Sequence, residues 1–234
     1  MNSDDFLDCY NKIDLYLKSS EDYESYESFA GKIKKSKNPV VRNYKDELIS
    51  FGELRNAIVH NPKIGIEAIA EPHTTIVFRI KELYEKISNP KKVIPEFQFE
   101  VLGAKEGDYI NNILIKMREK SFSQFPVFDI EGKVAELINT NTISRWLSNN
   151  LEDSGTIVID NIKVKDLMNE IEFKSNYKFI SRNTSIYEAY NLFTEQIRVK
   201  NTNLDVLFIT NSGKQSEKLI GLITIEDIAS IIKP

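Results

Sequence analysis

The sequence predicts an α+β protein: an N-terminal α-helical bundle followed by a tandem pair of similar α/β units. Three observations carry that prediction. Apolar residues recur at helical spacing through residues 1–88. Beyond Asn89-Pro90 short apolar runs alternate with amphipathic helices. Residues 123–133, SQFPVFDIEGK, align without a gap on residues 204–214, LDVLFITNSGK, so that Gly132 meets Gly213 and Lys133 meets Lys214.

In the helical part, Phe6, Tyr10, Ile13 and Leu17 line one face of a first helix, with Ser3 or Asp4 as its cap. A second helix is expected around residues 26–37. Pro39 offers a start for one long third helix that runs to His60, where Asn61-Pro62 ends it, because a residue before proline avoids helical geometry. A loop spans residues 63–71. Pro72 suits the first turn of a fourth helix ending at Ser88. Four such helices make a small bundle.

In the repeat part, FPVF and VAELI read as strands of the first unit, and VLFIT and KLIGLIT as strands of the second. Past the insertion QSEK, VAELINTNTI aligns on LIGLITIEDI. Upstream, Ile110, Ile113 and Met117 align on Ile186, Ala189 and Phe193. The order strand, helix, strand, strand, helix is thus expected twice in residues 89–234, as units 89–152 and 157–234, with NNLEDSGT as the link.

Composition narrows the function classes. The chain has 234 residues, 41% hydrophobic and 28% charged, with a net charge of −4. That is an ordinary balance for a globular chain and gives no global basic field for nucleic acid or anionic membrane. Cys9 is the single cysteine, so neither an internal disulfide nor a thiolate metal site is expected, and a reduced, cytoplasmic setting is the simple reading. The start MNSDDFLDCY has no long apolar run, and no stretch approaches the ~20 apolar residues that span a bilayer. His73 has no histidine or cysteine partner at ligand spacing, so no metal is expected. Trp146 reads as a packed residue. The cluster Lys32, Lys34, Lys35 and Lys37 reads as a solvated helix end.

Two motifs carry chemistry. In GLITIEDI, Thr224 stands where a strand gives way to a helix, with Asp227 three residues on. The spacing is that of a capping box, Asp227 reaching back to Thr224, and by spacing alone that reading stands beside a ligand-binding one. The first copy has Asn139 and Thr142 at these positions, and Glu136 in place of Gly221. A threonine hydroxyl cannot accept from two ligand hydroxyls as a carboxylate can, so the first copy is expected to be a degenerate site.

The helix, the PVFD-x-x-G-K turn, the KVKDLMN segment (163–169) and the closing GLITIEDI resemble the CBS domain family over residues 89–234. The resemblance implies a tandem pair sharing a cleft that takes an adenosine-containing nucleotide: AMP, ATP, a cyclic dinucleotide or S-adenosylmethionine. It implies that Asp227 accepts from the ribose hydroxyls and that Thr224 and the helix N-terminus face phosphate. It places adenine near Ile180, Val206 and Leu207. Arg182 and Arg145 are candidates for phosphate contacts, though each is also an ordinary solvated arginine.

The second motif is Arg55-Asn56-Ala57-Ile58-Val59-His60. With LISFGELRNAIVHNP and the following IAEPH it resembles the HEPN family of helical-bundle domains over residues 1–88. That resemblance implies a metal-independent ribonuclease in which His60 moves the ribose 2′-hydroxyl proton, Arg55 steadies phosphate charge and Asn56 completes the motif, with two protomers bringing their motifs together. Positions five apart on an ideal helix differ by about 140° in azimuth, so Arg55 and His60 are expected to point apart unless the helix end frays or a dimer composes the site. Both groups also suit a helix C-terminus. Residues 1–88 hold 13 basic against 15 acidic side chains, with no basic face for RNA. The leading expectation is a cytoplasmic, homodimeric regulatory protein whose CBS pair binds the nucleotide and modulates the helical domain or a partner. The alternative is a ribonuclease gated by the CBS pair.

Overall fold

The computed structural model describes residues 1–24, 26–60, 70–157, 159–174, 176–196, 204–229 and 231–232. The chain divides into two compact units, Met1–Lys91 and Lys92–Pro234.

The first unit is helical: α1 (Asn2–Ser20), α2 (Phe29–Lys35), α3 (Pro39–Asn43), α4 (Lys45–His60) and α5 (Thr74–Ser88). Its core takes Phe6, Ile13 and Leu17 from α1, Leu48 and Phe51 from α4, and Ile80, Leu83 and Ile87 from α5. Each fully buried side chain of this size contributes about 1.5–3 kcal/mol.

The expected long third helix is two helices. Asn38 caps α3, its Oδ1 accepting from the Val40 and Val41 N–H groups, and Pro39 takes the first turn. At Tyr44 the backbone leaves helical geometry (φ −108°, ψ 26°). The break buries the tyrosine ring to 4% exposure, with Arg79 and Lys86 over its face at 5.3 and 5.2 Å. Burying an aromatic ring against two cations outweighs one lost helical turn. Arg79 also binds both carboxylate oxygens of Glu47, at 2.7 and 3.0 Å.

Three smaller expectations change. Neither Ser3 nor Asp4 caps α1, which begins one residue after Met1; Ser3 lies inside the helix and its N–H donates to Glu71. Pro72 precedes the cap residue His73 rather than entering α5. Lys32 is buried at 6% exposure and paired with Asp14 at 2.7 Å, so that lysine is not a solvated helix end. Most of the expected loop 63–71 lies outside the described residues.

The second unit opens with an irregular turn, α6 (Val93–Glu96). The first copy follows as β1 (Ala104–Lys105), α7 (Ile110–Lys120), β2 (Gln124–Phe128), β3 (Val134–Asn139) and α8 (Thr140–Asn149). The connecting turn α9 (Val164–Leu167) leads to β4 (Tyr177–Ser181), α10 (Ile186–Glu195), β5 (Val206–Thr210), β6 (Gly221–Ile223) and α11 (Ile225–Ala229). Each copy builds one three-stranded sheet, parallel then antiparallel: β1-β2-β3 and β4-β5-β6. Val134, Leu137, Val206, Phe208 and Leu219 form a shared apolar cluster of both sheets. Trp146 packs at 5% exposure with Ile110, Ile113 and Met117.

The segment that introduces each copy packs on the other copy. Val164 and Leu167, in KVKDLMN, complete the core of the first copy, and the Val164 N–H donates to Asp108 O at 2.9 Å. Val93 reciprocates, donating to Thr184 O at 2.9 Å. KVKDLMN therefore opens the second copy in sequence but belongs to the first in space, because each small sheet lacks the apolar area to close a core alone.

Candidate functional site

The matched turns Gly132 and Gly213 both sit at positive φ, 78° and 83°, where a side chain is strained. At Gly213 an added Cβ would also meet Ser181 N at 3.1 Å. This sharp return sends β6 back antiparallel to β5 and delivers Thr224 beside the N-terminal end of β5, since Ile223 pairs with Leu207.

Asp227 Oδ2 accepts from both the Thr224 N–H and the Thr224 hydroxyl, each at 2.8 Å. The carboxylate thus reaches back across the turn as the capping spacing predicts, and α11 carries two acids, Glu226 and Asp227, in its first turn. Both residues face a cavity of about 390 Å³. Phe97, Phe99, Phe122 and Leu222 supply its apolar wall, and Glu100 and Glu226 stand with Asp227 on its polar side. A second cavity of about 280 Å³ shares Thr224 and Glu226 and adds Asp205.

The matched turn of the first copy is built differently. Asn139 Oδ1 accepts from the Thr142 N–H at 2.9 Å and from its hydroxyl at 3.1 Å, capping α8. Asn139 Nδ2 donates to Asp205 Oδ2 at 2.7 Å, and Asn176 Nδ2 donates to the same oxygen at 2.8 Å. Thr142 is 4% exposed. The polar groups that would meet a ligand here are hydrogen-bonded to the protein itself. Glu136, on the position of Gly221, is buried beside Tyr177. Burial raises its carboxyl above the usual range, against a lowering by the Leu137 N–H, Lys174 and the Tyr177 hydroxyl. Burial and then Glu136 push the Tyr177 phenol up in turn.

The remaining expected residues are spread out. Val206 and Leu207 are fully buried at the start of β5, the end where Thr224 lies. Ile180 pairs with Ile209 toward the other end of β4, next to Gly213 rather than Thr224. Arg182 follows that far end, its N–H donating to Thr210 O at 2.9 Å. Arg145 is paired with Glu172 at 2.5 Å. Neither arginine lines the two cavities. The turn thus brings Thr224 and Asp227 together and does not gather Ile180, Arg182 and Arg145 around them. Sequence reasoning missed Phe97, Phe99, Glu100 and Phe122. EFQFE shows only an alternation of aromatic and polar residues, and nothing local ties it to a turn more than 120 residues on.

In the helical unit, Arg55 Nη1 lies 3.0 Å from His60 Nε2 and 3.2 Å from Asn56 Oδ1. The two side chains diverge in azimuth at the backbone, yet the length of arginine closes the gap within one chain. A guanidinium only donates, so a hydrogen bond at this contact requires Nε2 to be the acceptor. Arg55 also lies over the Tyr10 ring, 5.9 Å from its centroid. Burial pushes the Tyr10 phenol up to about 12, with Asp14 adding to the rise and Arg55 opposing it.

Among the described residues no group of three or more histidine, cysteine, aspartate or glutamate side chains is placed to hold a metal ion, and no helix is long and apolar enough to cross a membrane. Three solved structures resemble the chain. A CBS domain-containing protein from Kribbella flavida is 10% identical at a TM-score of 0.44, over 58% of this chain and 95% of that one. A CBS domain pair in complex with 5′-methylthioadenosine and S-adenosyl-L-methionine is 15% identical at 0.43, over 61% and 95%. CBSX2 in complex with AMP is 19% identical at 0.39, over 58% and 92%. Comparison with curated proteins gives no match. The family model described as the CBS domain matches residues 164–234, the stretch that holds β4, β5, β6 and the Thr224–Asp227 turn. Residues 164–234 therefore carry a CBS domain.

Proposed function

We propose that this protein is a ligand-sensing regulator, in which residues 89–234 act as a CBS pair and bind an adenosine-containing ligand at Thr224 and Asp227. The cavity carries the reading: a hollow of about 390 Å³ joins a carboxylate beside a strand-to-helix turn to a wall of aromatic rings. A ribose diol suits the carboxylate and a flat base suits the rings. The first copy, with Asn139 and Thr142 bonded within the protein, is the non-binding partner of the pair. Binding modulates the helical domain or a partner protein, and the working form is a homodimer in the cytoplasm. Titration calorimetry of the full chain against AMP, ATP, cyclic di-AMP and S-adenosylmethionine tests this. Asp227→Ala lowers affinity about 100-fold or more, since hydrogen bonds to a charged group contribute ~1.5–3 kcal/mol each. Unchanged affinity in a variant that still melts cooperatively refutes the assignment.

A second reading has its own observation, the 3.0 Å contact between Arg55 and His60. An imidazole beside a guanidinium is the pairing a metal-independent ribonuclease of HEPN type uses to take the 2′-hydroxyl proton and steady the phosphate. Structured RNA incubated with the protein in EDTA is cut, and His60→Ala stops the cutting. Equal cleavage by the variant removes Arg55, Asn56 and His60 from consideration.

A further inference from the structure

Gln215-Ser216-Glu217-Lys218 has no counterpart in the first copy; it is inserted between the matched pairs Lys133/Lys214 and Val134/Leu219. The first-copy turn closes on Asp129, whose Oδ1 accepts from the Glu131 and Lys133 N–H groups at 2.8 and 2.9 Å. The second-copy hairpin is ordered by the insertion itself. Glu217 accepts from the Ser212 hydroxyl at 2.6 Å and the Ser212 N–H at 2.7 Å. These bonds, with weaker ones from Thr210 and Lys214, hold its carboxyl down to about 2. The hairpin is also tied to its own sheet: the Gly213 N–H donates to the fully buried Thr210 hydroxyl at 3.0 Å, and the Ser181 hydroxyl donates to Asn211 O at 3.3 Å. Held in this way, it carries Gln215 onto the other copy, where Nε2 donates to Val134 O at 2.9 Å. The β2–β3 register shifts between Val127 and Phe128, and such a bulge interrupts the ladder beside Val134.

This bond lies at one end of the contact between the copies. Val134 pairs with Phe128, at the end of β3 away from Asn139, and the hairpin follows the end of β5 away from Leu207, which pairs with Ile223 beside Thr224. At the opposite end Asn139 Nδ2 donates to Asp205 Oδ2. Between the two bonds lie Val134, Leu137, Val206, Phe208 and Leu219. Apolar contact is non-directional and hydrogen bonds are directional, so the bonds at the two ends set the register of the copies. The Asp205 link runs through a carboxylate on a cavity wall, open to exchange its donors with whatever enters, whereas the Gln215 link ends on a strand carbonyl. We propose that the hairpin 211–218 is a clasp that fixes the two copies at the end remote from Thr224 and confines their relative movement to the end that holds Asn139, Asp205 and Thr224.

Hydrogen exchange of the full chain, read on peptides from both copies, tests this. Gln215→Ala raises exchange in the first-copy segment 133–138 about fivefold, the factor set by one neutral hydrogen bond. Deletion of 215–218, which gives the second hairpin the length of the first, does the same, and Gln215→Ala alone decides where the deletion does not fold. Glu217→Ala loosens 211–218 and, by releasing Gln215, raises exchange in 133–138 as well. Asn139→Ala raises exchange in 139–142 and leaves 133–135 at the parental rate. Parental exchange in 133–138 for Gln215→Ala overturns the clasp, whatever happens within the hairpin. An equal rise at 133–135 in Asn139→Ala overturns the division between a fixed and a free end.

Discussion

The two strand-to-helix turns, Val134–Thr142 and Leu219–Asp227, come from aligned sequence and each leads a strand into a helix, yet their polar side chains are bonded differently. In the first, an asparagine accepts from the helix it starts and donates to Asp205, so its polar atoms are bonded inward. In the second, a carboxylate holds its own turn residue and remains exposed on a cavity wall. Position 136 against 221 widens the difference. Glu136 is a buried acid, while a Cβ on Gly221 would lie 2.0 Å from Phe97 O. The glycine lets the segment 97–102 run beside β6, with the Phe99 N–H donating to Ile220 O at 3.2 Å, and that segment walls the cavity. A repeat can thus keep its order of elements while the side chains of one copy bond to the protein and a glycine in the other admits a neighbouring segment.

Substitutions sharpen or break that comparison. The largest effect is expected for Gly221→Ala, which forces Phe97 and its neighbours off β6 and costs about 3 kcal/mol, the upper range for overpacking. Urea denaturation reads it, and a variant as stable as the parent denies the close approach. Asp205→Ala comes next. It leaves Asn139 Nδ2 and Asn176 Nδ2 without their acceptor, and Asn176 is only 5% exposed, for a loss of about 2 kcal/mol. Asn139→Ala removes a cap and costs about 1 kcal/mol. Thr224→Ala costs less than about 0.5 kcal/mol, as for a half-buried hydroxyl that donates to a side chain outside the helix ladder. Equal losses at 139 and 224 would erase the asymmetry.

Glu136→Gln is the smallest and is read through pH. The carboxyl of Glu136 is raised above its ordinary 4.5 by burial, so the folded state holds the proton more tightly than the unfolded chain. Its contribution to stability is fully present below that value and is lost as pH rises through the folded one. Replacement with glutamine should therefore flatten the fall in stability from pH 4 to pH 7. Denaturation midpoints at the two pH values check it, and an unaltered slope places the burden on another group.

Much of the architecture was legible. Phe6, Tyr10, Ile13 and Leu17 are buried together as their spacing requires, and the paired turns at Gly132 and Gly213 share a positive φ. The break at Tyr44 was not legible, because Arg79 and Lys86 come from a helix 35 and more residues away. The same limit hid the aromatic wall and left open which end of β4 lies nearer Thr224: pairing β4 parallel to β5 fixes that end, and strand register does not show in a single strand.

The sequence by itself determined the elements that depend on neighbours along the chain: the helical faces, the strand runs, the glycine turns and the Thr224–Asp227 spacing. Tertiary structure alone decided that KVKDLMN completes the first copy, that Asp205 ties down Asn139, and that Phe97, Phe99 and Glu100 stand over the second turn. Periodicity and capping act within a turn or two of backbone. Which distant segments share a wall is settled by what can pack and pair across the whole unit.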